Sequence, residues 1–391
     1  MTAEHINNKL FSIINDQEEK HTTPIVAVKV NNNLKDLQAP FDGEPKLELI
    51  DMSCTEGIII YRRSVLFLLM TSLKELYPEA DVIVEHSVNN GIYCKIIPEK
   101  LVTMENIKKL TLHMHEIIEK NVPIVKKVLH KKDALNLLKS HKQLAKIALI
   151  KSLKQDMVSI YFCGQYYDYL YGPMLPETKN LNLFAIDYYP PGIIVRTPEV
   201  SDPQTVPPKE NQNKLASLLD EANNWASILR CDYVSNLNSY IKNHQAGDLI
   251  RISEALHEKK IAQIADIIVK NIDRLRVIFI AGPSSSGKTT FAQRLKIQLL
   301  VNGVRPVSLS MDDYFLDRDQ TPRNEKGEYD FESFDAIDRD LLNEQIISLL
   351  AGNEVSIPKY NFITGQKGWS EKKISLRSNQ PIIIEGIHGL N

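Results

Sequence analysis

Apolar positions along this chain change period several times, and each change marks an element. Pro24-Ile25-Val26-Ala27-Val28-Lys29-Val30 and Leu47-Glu48-Leu49-Ile50 are short and rich in β-branched residues, and Gly57-Ile58-Ile59-Ile60-Tyr61 continues the series. Asn31-Asn32-Asn33 and the loop at residues 39–43 supply turn chemistry between them, which predicts a small β-rich module over residues 1–61. From Arg62 the period becomes helical, Ser64 to Leu76, with a stop at Tyr77-Pro78. Asp81 to Glu85, the turn Asn89-Asn90-Gly91, and Ile92 to Ile96 predict a hairpin, after which Thr103 caps a helix starting near Met104. Mixed strands and helices continue through residues 62–230, with a polar, proline-bearing connection at 201–213. Amphipathic stretches follow near Leu215 to Leu229 and Leu249 to Ile272, and residues 231–273 read as a helical connector.

Residues 274–391 follow a different plan. Arg276 to Ala281 reads as a buried parallel strand and Thr290 to Leu300 as a helix stopped by Asn302-Gly303. Val307 to Ser310 is a second strand, Ile337 to Leu350 a helix stopped by Gly352, Val355 to Tyr360 an extended segment, and Pro381 to Gly386 another buried strand. The fold class expected is therefore multidomain: α+β in the first half and parallel-sheet α/β in the last part.

Between the first strand and helix of that last part stands Gly282-Pro283-Ser284-Ser285-Ser286-Gly287-Lys288-Thr289, followed by Thr290. It satisfies G-x-x-x-x-G-K-[ST] in the strand–loop–helix setting that the motif needs. Glycines let the backbone N–H groups curl around phosphates, and the helix N-terminus adds positive partial charge. Lys288 is placed to reach the β/γ-phosphates and the Thr289 hydroxyl to ligate Mg²⁺, so ATP and Mg²⁺ are the expected cofactors.

Composition changes this picture little. At 43% hydrophobic and 25% charged residues with net charge −2, the chain is ordinary globular material with no strong global attraction to nucleic acid or membrane. Cys54, Cys94, Cys163 and Cys231 are far apart and read as reduced thiols of a cytoplasmic protein. The longest apolar block, Val65 to Met70, is too short to span a bilayer. His113 and His115 fall on different helix faces and read as surface residues, not metal ligands. Residues 126–154 hold nine lysines against one acid, a basic helical face that RNA could touch, although a solvated exterior is the simpler reading.

Two strand ends carry carboxylates. Asp312 follows the strand Val307 to Ser310 and is placed to accept a substrate hydroxyl's proton, with Asp313 competing for the role and a cap or metal-water ligand as the plain alternative. Glu385 ends an apolar strand, which suits the orientation of Mg²⁺ or its waters; otherwise it caps the next turn.

Both halves carry family resemblances. Residues 24–61 resemble the β-grasp module at the start of threonyl-tRNA synthetases, and residues 62–198 resemble the synthetases' editing domain through Arg63-Ser64, Leu76-Tyr77-Pro78, Asn90-Gly91-Ile92-Tyr93, Met114-His115-Glu116 and Tyr171-Gly172-Pro173. Where that family carries an H-x-x-x-H pair and a later Cys and His, this chain has Arg63, Phe67, Leu170 and Met174. None of the four is a nucleophile or a general base, so the resemblance implies a degenerate scaffold without hydrolytic activity. Residues 275–391 resemble the uridine kinase and phosphoribulokinase group of P-loop kinases. The motifs are Gly282 to Thr289, Ser310 to Phe315, Tyr329-Asp330-Phe331-Glu332, Asp335-Ala336-Ile337-Asp338, Ile357-Pro358-Lys359-Tyr360 and Ile384-Glu385-Gly386.

That resemblance implies Asp312 as base, Glu385 at the metal, and Tyr314, Phe331, Glu332 and Tyr360 around a nucleoside acceptor. Uridine kinases usually carry Asp where this chain has Glu332, and His five residues after the pocket tyrosine, where it has Gly365. The group normally continues past the strand that ends here with an arginine-bearing lid, so the kinase core is expected to be incomplete and turnover by these residues low. The expectation is ATP-dependent phosphotransfer to a nucleoside, or else to another small alcohol. A nucleotide-gated RNA-binding protein is the alternative of a different class, and a homo-oligomer is compatible with either.

Overall fold

The computed structural model describes residues 21–39, 45–140 and 144–391. The chain divides into two compact units, Met1–His244 and Gln245–Asn391. Antiparallel sheets build the first, and a parallel sheet with an antiparallel hairpin the second, so the mixed α+β and α/β class holds.

In the first unit, β1 (Ala27–Val30) lies between β2 (Asn33–Lys35) and β3 (Leu47–Ile50), antiparallel to both. Of the expected loop at 39–43, only Ala39 lies within the described residues. Helix α1 (Thr55–Leu76) begins earlier than its pattern suggests: Gly57 to Tyr61 is its first turns, not a strand. Ile58, Ile60, Tyr61, Val65, Phe67, Leu68 and Leu69 are all buried, so the helix is covered on most sides and shows no clean amphipathic stripe. A short apolar run bounded by turns does not distinguish such a helix from a strand. Gly57 sits tightly under the preceding chain, where an added Cβ would lie 1.7 Å from the Asp51 carbonyl oxygen.

The predicted hairpin is present as β4 (Asp81–Val88) and β5 (Gly91–Ile97), turned by Asn89 and Asn90 at φ +54° and +57°. With β9 (Ala185–Tyr189) and β10 (Gly192–Arg196) it forms a four-stranded sheet in the order β4-β5-β10-β9. Thr103 caps α2 (Met104–Glu119), its hydroxyl accepting the Asn106 N–H at 3.1 Å. The histidines of α2 are half-buried and not free on the surface: His113 Nδ1 meets Ser72 Oγ at 2.9 Å, and His115 stacks on Phe184.

The lysine-rich stretch is not one helical face. It runs through β6 (Ile124–His130), α3 (Lys131–Ser140) and α4 (Leu144–Ser152), with residues 141–143 outside the described residues. β6 pairs with β7 (Met157–Cys163), which pairs with β8 (Tyr166–Tyr169). Several of its lysines are spent locally: Lys126 pairs with Asp36 at 2.7 Å, Lys127 lies over the Phe162 ring, and Lys146 pairs with the buried Asp168. Helices α5 (Asn213–Ile228) and α6 (Val234–Lys242) close the unit.

The second unit starts with α7 (Ala246–Lys270). Its buried residues Ile261, Ala265 and Ile268 join Leu295 and Leu299 of α8 (Lys288–Val301) in one core cluster, so much of the expected connector packs within this unit. The parallel sheet has the order β11 (Val277–Ala281), β15 (Ile382–Gly386), β12 (Val307–Ser310). β15 is central and its Ile382, Ile383 and Ile384 are fully buried. β11 is at the edge of the described sheet with Phe279 44% exposed, so the strand before the glycine-rich loop is only partly buried, contrary to the reading of its apolar run. Helix α9 (Arg339–Leu350), capped by Asp338, and the hairpin of β13 (Val355–Asn361) and β14 (Gln366–Ile374) complete it.

Candidate active site

Sheet register brings the site together. Glu385 stands opposite Ile280 on one side of β15 and opposite Ser310 on the other. The glycine-rich loop starts just beyond Ile280 and Asp312 just beyond Ser310, so residues far apart in sequence meet at the carboxyl ends of three parallel strands.

Within the loop, Gly287 has φ +88°, a left-handed conformation that disfavours any side chain, and Ser285 has φ +59°. The Ser286 N–H donates to the Pro283 carbonyl, and Lys288 Nζ donates to the same carbonyl at 3.0 Å. Ser284, Ser285 and Ser286 are exposed, as are Thr289 and Thr290 on the first turn of α8. Gly282 leaves little room beside it, because a Cβ there would approach Ser286 Oγ to 2.7 Å.

Thr289 Oγ1 donates to Glu385 Oε1 at 3.1 Å, and Ser310 Oγ donates to the same oxygen at 3.1 Å. Hydroxyl and carboxylate oxygens suit Mg²⁺, which keeps several waters and takes only one or two protein ligands beside phosphate oxygens. The donor set therefore fits that ion, and no group of three or more His, Cys, Asp or Glu among the described residues offers a closed protein cage instead. Replacing Glu385 by Gln is expected to raise the Mg²⁺ concentration for half-maximal turnover about 10–100-fold, read from a Mg²⁺ titration; an unchanged midpoint would remove Glu385 from the metal site.

The Asp312 carboxyl is pushed above the ordinary carboxylate range, first by burial and then by the nearby Glu385 charge; Lys288 opposes the shift. Asp313 is also raised by burial, but its carboxylate is drawn the other way by the Tyr360 backbone amide and by Lys359. The two acids therefore face different partners, Asp312 toward the loop lysine and Glu385, Asp313 toward the β13 hairpin.

The expected acceptor residues do not all meet. Tyr314 is a correction: its ring is fully buried and its hydroxyl donates to Gln345 at 2.8 Å, which makes it a core residue closed to a substrate. Phe331 and Tyr360 both lie against Phe315, at 5.8 and 5.6 Å between ring centroids, and Phe362 joins them. Glu332 is exposed, its backbone N–H held by Asp330. Sequence reasoning missed Ser310, Phe315 and Phe362. The signals were present: Phe362 stands two residues after Tyr360, just past the end of β13, and Ser310 is the last residue of β12 before Asp312. It also missed His388, buried against Phe334 at 5.4 Å.

In the first unit, Arg63 and Leu170 line a cavity of about 760 Å³ with Lys126 and Tyr171, and no His or Cys lies among its described lining residues. Phe67 and Met174, at the other two positions of the editing pattern, are buried in the core.

Residues 277–391 match the model of the phosphoribulokinase/uridine kinase family. The N-terminal region is similar to threonine–tRNA ligases. The ligase of Prochlorococcus marinus is 28% identical over 162 residues, 41% of this chain and 25% of the relative, and that of Citrifermentans bemidjiense is 30% identical over 161 residues, again 41% and 25%. The chain thus spans about a quarter of the length of the curated relatives it matches. Among solved structures, one titled a possible uridine kinase from Bacillus stearothermophilus is 28% identical, covering 31% of this chain and 68% of that one, with a TM-score of 0.26.

Proposed function

We infer that the second unit is a small-molecule kinase that transfers the γ-phosphoryl of ATP to an acceptor hydroxyl. The observation that carries this reading is the convergence of Lys288, Thr289, Asp312 and Glu385 at the carboxyl ends of the β11, β15 and β12 strands, within the segment that matches a kinase family. The loop amides and Lys288 hold the triphosphate, and Thr289 and Glu385 would hold Mg²⁺, directly or through its waters; the ion would supply neutralisation of phosphate charge. Asp312 takes the proton of the acceptor hydroxyl as that oxygen bonds to the γ-phosphorus. The bond to the bridging oxygen breaks and ADP departs with its electron pair.

A nucleoside is the acceptor that the family resemblance suggests, held in this reading by Phe331, Glu332 and Tyr360. Glu332 and Gly365 count against uridine itself, because discrimination by buried polar groups depends on the residues that make them. The first unit is read as a non-hydrolytic scaffold, and RNA is not favoured, given how many lysines of the 126–154 stretch are engaged within the protein. No helix among the described residues is long and apolar enough to cross a membrane; the cytoplasm is the proposed compartment. An acceptor screen for ADP release tests the function. Release stimulated by a nucleoside or another small alcohol supports it; ATP hydrolysis stimulated by RNA alone would favour the nucleotide-gated RNA-binding reading.

A further inference from the structure

The cavity of about 760 Å³ in the first unit takes its walls from α1, the β6-β7-β8 sheet and residues 170–173. Arg63, half-buried on α1, is held there from two directions. Its Nη1 donates to the Pro173 carbonyl at 2.7 Å. Gly172, at φ +87°, packs so closely on the guanidinium that a Cβ there would lie 2.7 Å from Nη1 and 3.0 Å from Cζ. That segment is itself pinned: the Tyr161 hydroxyl donates to the Gly172 carbonyl at 2.6 Å, the Met174 N–H to Asp36 at 3.2 Å and the Leu175 N–H to Ser64 Oγ at 3.0 Å. The guanidinium is therefore set in place before any ligand arrives.

Charge in the cavity is unbalanced. Lys35, Arg63 and Lys126 line it against two carboxylates, Asp36 and Glu56. Asp36 pairs with Lys126 at 2.7 Å, and Glu56 pairs with Lys29 at 3.2 Å. Arg63 forms no ion pair among the described residues, and its Nε and Nη2 make no hydrogen bond among them, which leaves the fork that matches an oxyanion. Burial disfavours the Arg63 charge and lowers its pKa from the ordinary arginine value, a cost that an anionic partner offsets. Around this cation Ile59, Leu170 and Pro173 supply apolar surface, and the Tyr171 ring is 83% exposed.

We propose that this cavity binds a small oxyanion, a carboxylate or a phosphate monoester, carried on an apolar or aromatic body. The oxyanion sits on Arg63 Nε and Nη2, and the body lies against Ile59, Leu170, Pro173 and Tyr171. With no His or Cys among the described lining residues, the site is one of binding and not of hydrolysis. It belongs to the first unit and stands whether or not the second unit is a kinase.

Calorimetric titration of the full chain with phenylacetate, phenyl phosphate and the neutral benzyl alcohol tests the proposal, with adenosine as a further probe. The unmodified protein is expected to bind at least one of the two anions about tenfold or more tighter than the alcohol, and the anion concerned distinguishes carboxylate from phosphate. Arg63→Gln abolishes that preference and Arg63→Lys keeps part of it; phosphate held by the glycine-rich loop persists in Arg63→Gln and is thereby told apart. Equal binding of anions and alcohol, a preference wholly retained in Arg63→Gln, or Arg63-dependent binding of adenosine tighter than of either anion would overturn the proposal. Should Arg63→Gln fail to fold, Ile59, 46% exposed and on the cavity wall, carries the test instead. Ile59→Glu is expected to bind the anion roughly 3–10-fold more weakly than Ile59→Lys, and equal affinity in the two variants counts against the proposal.

Discussion

Asp312→Asn is expected to lower kcat by roughly 10²–10⁴-fold while leaving ATP affinity intact. Asparagine keeps the shape and one acceptor oxygen but does not take a proton at working pH. In the proposed mechanism the loop amides and Lys288 hold the triphosphate, and Asp312 acts on Lys288 only through charge. The pH profile gives a second readout. A base works only when deprotonated, so activity is present above its pKa and falls as pH drops through it. Burial and the Glu385 charge raise that pKa, so the acid limb of kcat/KM in the free enzyme lies at higher pH than an ordinary aspartate gives. Asp312→Asn should lose that limb with the rate. Asp313→Asn is the comparison: its carboxylate faces the Tyr360 amide, so it should disturb the hairpin more than the chemistry.

The largest effect on stability is expected at Gly57→Ala. The new Cβ would lie 1.7 Å from the Asp51 carbonyl oxygen and 2.6 Å from its carbon, both backbone atoms that no rotamer change relieves. Either the 51–52 segment or the first turn of α1 must move, and both are tied to the buried core through Ile50, Met52, Ile58 and Ile60. A cost of roughly 3–5 kcal/mol follows, at the high end for a single substitution. Gly247→Ala is the control: in α7 its Cβ meets only the tip of Arg251 at 3.5 Å, so it should be neutral or stabilising by up to about 1 kcal/mol. Thermal or denaturant unfolding of the two variants against the unmodified chain makes the comparison, and equal stability for all three would contradict the packing described for α1.

The parts that were legible in the sequence are those fixed by local chemistry. The glycine-rich loop declares itself through glycines that permit positive φ and a lysine at fixed spacing, and Gly287 takes the expected conformation. Asn89-Asn90 and the Thr103 cap act over a few residues and appear where read. Glu385 was visible because an apolar run ends in it. What failed depends on burial from all sides or on contacts distant in sequence. Gly57 to Tyr61 reads as a strand because a helix covered on most faces loses the 3.6-residue alternation. Tyr314 reads as a pocket residue because its motif stands beside Asp312, yet a short 3₁₀ turn over Met311–Tyr314 sends it into the core against Gln345. The packing of Arg318 on Gly365 at the β13–β14 turn gave no signal at all, since it joins residues distant in sequence.

Transfer of label from [γ-³²P]ATP to an acceptor by the full chain, with and without Asp312→Asn, tests the proposed chemistry most directly. Label is expected in the acceptor with the unmodified protein and not with the variant, while both bind ATP equally. Label released only as inorganic phosphate, or transferred equally well by Asp312→Asn, would contradict it.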